Sequence, residues 1–185
     1  VNPKPVNIKK FEKRISRSIA GDIRELIHDG KVVKAMGIIE SHQKSWLSKS
    51  RRVDVQFFRA MAYEKMDLYK EALTSYKRLK KRMQLLSGSK EEKERRVFEY
   101  YPSLDTVNLR EAVASYGLKK NSEALTFLKE VKSIKKLDDH SKVDYYLTLS
   151  KLSYDNKQYD EALKTVLLVK QKDIVDPEKK EKFNV

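Results

Sequence analysis

The setting of four alanines constrains this chain more than any other feature. Tyr69-Lys70-Glu71-Ala72-Leu73 and Tyr159-Asp160-Glu161-Ala162-Leu163 are near copies; Ser122-Glu123-Ala124-Leu125 fits the same frame, and Val33-Lys34-Ala35-Met36 fits it more loosely. Counting back to the same point from the last three alanines gives a small residue at Ala60, Ala112 and Ser150, and counting forward from all four gives a large apolar one at Ile39, Tyr76, Leu128 and Val166. Self-similarity of this kind marks a repeat array, in which each unit buries its apolar face against the next. Small residues belong where two helices cross closely.

The hydrophobic periodicity around these marks is helical throughout. Phe11, Ile15, Ile19 and Ile23 recur every four residues and Leu26 and Ile27 continue the stripe, so one amphipathic helix is expected to end at Asp29-Gly30. A second follows at once through Val32, Val33, Ala35, Met36, Ile38 and Ile39. The same grammar gives helices on either side of Met66-Asp67-Leu68, of Gly117 to Asn121 and of Asp155 to Gln158, with the helix after Gly117–Asn121 carrying Ala124, Leu125, Leu128, Val131 and Ile134. Only 5 Gly and 4 Pro punctuate the 185 residues, which favours short connections and an all-α class.

The expected organisation is a lead-in over 1–10, held extended by Pro3 and Pro5, and a repeat domain over 11–175 with hairpins at about 11–43, 51–87, 105–137 and 141–171. The alanines are spaced 37, 52 and 38 residues apart, so the middle step contains an insertion. Ser87-Gly88 reads as a helix stop and Ser89-Lys90-Glu91-Glu92 as a capping-box restart, giving a short helix over about 89–101 that Pro102 ends, with Asp105 capping the next hairpin. Trp46 is expected to plug the junction between the first two hairpins. Asp176-Pro177 opens either a capping helix or a frayed tail over 176–185.

The quoted alanine segments resemble the second helix of the tetratricopeptide repeat family, with Tyr63 at the family's first-helix aromatic position and Ser115 and Ser153 departing from it. Most of the family's Trp, Gly and Pro signatures are missing. The resemblance implies an α-solenoid of about four TPR-like helical hairpins wound as a right-handed superhelix. It implies a scaffold or adaptor that binds a peptide or helix of a partner protein in a concave groove. On the family's register that groove is lined by Arg24, Phe57, Met61, Glu64, Leu109, Val113, Tyr116, Leu147, Lys151 and Tyr154, with packing between repeats as the competing role of these residues. The positions at which the family's chaperone-tail clamp carries paired Lys and Asn are mixed here, and do not support that partner class.

Charge supplies the alternative. With 41 Lys+Arg against 27 Asp+Glu the net charge is +14, which attracts acidic proteins, nucleic acid and anionic membranes. A basic stretch that includes Lys77, Arg78, Lys81, Arg82, Arg95 and Arg96 would suit nucleic acid, although no exposed aromatics are interleaved to stack bases; the bland reading is a solvated helix face. No positive sign of catalysis is present, and no cofactor is expected: there is no Gly-rich phosphate loop or nucleophile elbow, and Cys 0 removes thiolate chemistry. Glu25 and His28 have a metal-ligand spacing without the second copy such a site needs, so no metal is expected. No apolar run approaches the ~18 residues of a membrane span. A soluble protein of cytoplasm or periplasm is expected, and the sequence does not name the partner.

Overall fold

The computed structural model describes residues 19–43, 52–98 and 100–172. The lead-in, Trp46 and the 176–185 segment lie outside these. The described residues are all-helical, without a strand. They form α1 (19–28), α2 (Val32–Gln43), α3 (Val53–Lys65), α4 (Tyr69–Leu86), α5 (Lys90–Phe98), α6 (Leu104–Gly117), α7 (Asn121–Lys129), α8 (Asp139–Asp155) and α9 (Tyr159–Lys172), with a 3-10 turn at Ile134–Lys136. The chain divides into two compact units, residues 1–103 and 104–185.

One turn recurs four times. Gly30, Asp67, Lys119 and Lys157 each adopt the left-handed conformation, at φ of 74°, 59°, 61° and 63°. The next residue's N–H then closes on a carbonyl five residues back: Lys31 to Leu26 at 2.8 Å, Leu68 to Tyr63 at 2.9 Å, Lys120 to Ser115 at 3.0 Å and Gln158 to Ser153 at 2.9 Å. This is the Schellman closure, which satisfies carbonyls left over at a helix end. The carbonyl of that same residue then accepts the N–H of the marker alanine, Ala35, Ala72, Ala124 or Ala162, as the following helix begins. The backbone therefore repeats in the register of the sequence motif.

The small residues lie at the helix crossings. In the first unit α3 packs against both α2 and α4, and Ala60 and Ala72 are fully buried. In the second, α6 packs on α7 and α8 packs on α9, with Ala112 and Ala124 fully buried. The Ser150 hydroxyl of α8 donates to the Ala162 carbonyl of α9 at 2.9 Å. A core of Leu109, Ala112, Ala124, Leu128, Val131, Leu137 and Leu152 fills the second unit.

The insertion is a short capped helix that ends sooner than its expected limit. Gly88 takes φ 76°, the Ser89 hydroxyl accepts the Glu92 N–H at 3.0 Å, and the Glu92 carboxylate accepts the Gly88 N–H at 2.7 Å. That reciprocal pair is a capping box shifted by one residue. Arg95 and Arg96 pair with Glu91 and Glu92 at 2.7 and 2.8 Å along the helix. Beyond α5, Tyr100 stacks on Phe58 at 5.3 Å and lies 5.9 Å from Phe57, and its N–H donates to the buried Asp54 carboxylate at 3.3 Å.

Two expectations near Asp105 are corrected. Asp105 lies within the first turn of α6 and its carboxylate accepts the N–H groups of Lys132 and Ser133, at 3.0 and 3.2 Å, rather than capping its own helix. The Asn108 amide donates to the Glu130 carbonyl at 3.0 Å. These bonds replace the helical ones at the end of α7, so α7 stops at Lys129 and Val131 and Ile134 leave the helix.

Candidate functional site

The expected groove residues divide by burial. Phe57, Met61, Glu64 and Leu109 are 2%, 4%, 6% and 0% exposed, so the structure corrects their assignment to a groove wall and places them in the cores of their units. The causes are specific. Phe57 lies among Phe58, Tyr76 and Tyr100, and Glu64 accepts the Tyr76 hydroxyl at 2.9 Å, a buried polar contact that ties α3 to α4. Leu109 belongs to the core of the second unit. Arg24, half-buried on α1, falls in the first unit, whereas Lys151 falls in the second.

The remaining residues, Val113, Tyr116, Leu147, Lys151 and Tyr154, lie on α6 and α8 and are half-buried or exposed. Of these the structure brings together Tyr116 and Lys151. The Lys151 ammonium is 5.9 Å from the Tyr116 ring centroid and that of Lys119 is 5.7 Å away, both at cation–π range. Burial, reinforced by the Asp155 carboxylate at its hydroxyl, raises the Tyr116 pKa. Asp155 also accepts the Asn121 amide at 3.1 Å, linking the end of α8 to the start of α7. Tyr154 meets Tyr159 edge to face at 5.2 Å, with the two side chains' residues 63% and 56% exposed.

The second unit thus presents an aromatic and basic surface that extends onto α9, where Tyr159, Leu163 and Leu167, four residues apart, are all exposed. Lys119, Asp155 and Tyr159 make these contacts without being among the expected groove residues. A signal was available: Lys119 occupies the left-handed turn position, Asp155 ends α8 and Tyr159 begins α9, so all three belong to the repeated turns.

The basic stretch is less uniform than its composition implies. On α4, Lys77, Arg78 and Lys81 are exposed and Arg82 is half-buried. Arg95 and Arg96 are engaged with glutamates, and the Arg96 guanidinium also covers the Tyr101 ring at 4.2 Å. Among the described residues, no cluster of His, Asp and Glu is placed to hold a metal ion and no helix is long and apolar enough to cross a membrane.

Comparison with protein-family models, with curated proteins and with solved structures found no match to this chain.

Proposed function

We propose that this chain is a non-enzymatic, TPR-like α-solenoid scaffold that binds a peptide or helix of a partner protein through its second unit. The four identical hairpin turns, in register with the marker alanines, support the repeat reading. One observation carries the function: the ammonium groups of Lys119 and Lys151 both lie within cation–π range of Tyr116, and the same unit exposes the paired rings of Tyr154 and Tyr159. Tyrosine is enriched at binding hot spots because it offers a large apolar body and a polar tip at small entropic cost. The two lysines over the Tyr116 ring favour a partner segment that carries carboxylates.

The alternative is a basic helical nucleic-acid-binding protein. Unequal charge supports it: residues 1–103 hold 25 Lys and Arg against 13 Asp and Glu, and residues 104–185 hold 16 against 14. The test is capture of binding partners with wild type, with Tyr116→Ala/Tyr154→Ala and with Lys77→Glu/Arg78→Glu/Lys81→Glu, each with and without nuclease. Protein capture that resists nuclease and is lost in the tyrosine variant supports the scaffold. Capture that disappears with nuclease, falls steeply with salt and is lost on charge reversal supports nucleic acid.

A further inference from the structure

The second unit contains a cleft of about 570 Å³, lined by the 131–135 loop, the first half of α8 and the end of α9. On α8 it uses Asp139 to Tyr146, whereas the Tyr116 surface uses Lys151 to Asp155 at the other end. The cleft's apolar lining comes from the buried Val131 and Val169 and from Ile134, Val143, Tyr146 and Leu168, which are half-buried or exposed. Lys132, Lys135 and Lys142 also line it, against one carboxylate, Asp139, which pairs with Lys142 at 2.8 Å. Lys132 and Lys135 are exposed. An apolar floor under an excess of cations suits a ligand that is apolar on one face and anionic at its edges.

The cleft has fixed walls. Asp105 and Asn108 of α6 hold the loop through the N–H groups of Lys132 and Ser133 and the carbonyl of Glu130. Asp138 caps α8 by accepting the Ser141 N–H at 2.8 Å, which sets where the other wall begins. A wall held before binding loses little conformational freedom when a ligand arrives.

We infer that this cleft is a second docking site, for an acidic amphipathic segment of a partner protein, which inserts one or two large apolar side chains against Val143, Tyr146 and Leu168 and places carboxylates near Lys132 and Lys135. The inference rests on the reading of the chain as a protein-binding scaffold but uses different residues from the Tyr116 surface, so the two can fail separately.

The probe is a labelled helical peptide with leucines on one face and glutamates flanking them, compared with the same peptide carrying lysines in place of the glutamates. Binding to the full chain is followed by anisotropy and located by NMR shifts. Saturable binding of the glutamate peptide is expected, with the largest shifts at Val143, Tyr146 and Leu168. Lys132→Glu/Lys135→Glu should weaken it about tenfold or more, the loss expected when attractive rim charges become repulsive. Lys164→Ala, at an exposed position of α9 that does not line the cleft, should leave it unchanged, and Asp105→Asn, which loosens the loop while keeping the lysines, should weaken it with wild-type helical content. Equal binding of the lysine peptide, shifts confined to the Tyr116 surface, no saturable binding, or binding that appears only after residues 173–185 are removed would each overturn the inference.

Discussion

The hydroxyl of Ser150 on α8 is hydrogen-bonded to the carbonyl of Ala162 on α9. Two helices approach this closely only when neither carries a large side chain at the crossing, and the same pairing of positions recurs as Ala60 with Ala72 and Ala112 with Ala124. Ala124→Leu should therefore overpack its hairpin and cost about 1–3 kcal/mol. Lys164→Leu, on an exposed position of α9, should cost nothing comparable. Urea unfolding of the two variants decides it: equal midpoints would remove the alanine register as the basis of the hairpins.

The turn between α3 and α4 makes a prediction about pH. The Tyr69 hydroxyl donates to the Asp67 carboxylate at 2.5 Å, and this bond, followed by burial and the Asp67 charge, pushes the phenol from 10.0 up to about 12. The fold favours the protonated phenol, so its contribution is complete below about pH 10 and is lost as pH rises through about 12. NMR titration of the tyrosine rings should show Tyr69 ionising late, and Asp67→Asn should bring it back toward the ordinary tyrosine range. An unchanged Tyr69 titration in Asp67→Asn would assign the shift elsewhere.

The inserted helix should respond at the opposite end of the scale. The Gly88 N–H, and then Arg96, hold the Glu92 carboxyl below its ordinary pKa of 4.5. A depressed carboxyl stabilises the fold above its unfolded pKa, and that contribution is lost as pH falls through the folded value. Chemical shifts of α5 should lose helical character in that acid window before those of α4 and α6. Glu92→Gln should reproduce part of the loss at neutral pH, and trypsin should cut within Lys90 to Arg96 sooner in this variant than in wild type.

Three of the four left-handed turn positions carry a side chain. Lys157 is exposed and holds φ 63°, a conformation that costs an L residue roughly 1–2 kcal/mol, offset in part by the extra freedom glycine has when unfolded. Lys157→Gly should raise stability by about 0.5–1 kcal/mol, and Lys157→Val, β-branched, should lower it. Melting temperatures of the pair check this; a destabilised glycine variant would mean that the lysine side chain contributes more than its backbone costs.

The helices were legible because their apolar period is unbroken and the alanine frame fixes where each second helix begins. Helix ends were legible where a local signal exists, as at Gly30 and Gly88. They were not where the cause is distant: α7 stops because Asp105 and Asn108, more than twenty residues earlier, take the hydrogen bonds that would have continued it. The groove assignment met the same difficulty. Register places Phe57 on the face the family resemblance uses, but the insertion brings Tyr100 across it, and no period within α3 records that contact. Tyr116 and Lys151 came together because both lie in undisturbed hairpins.

The stacking of Tyr100 on Phe58 has a consequence for engineering the chain. Cutting out 88–101 to even the spacing of the marker alanines would remove α5 and leave Phe57 and Phe58 without the ring that helps cover them. It would also deprive the Asp54 carboxylate of the Tyr100 N–H. Two adjacent aromatic rings opened to water on one helix form the kind of patch through which chains associate nonspecifically. The more evenly spaced chain would be the less soluble one.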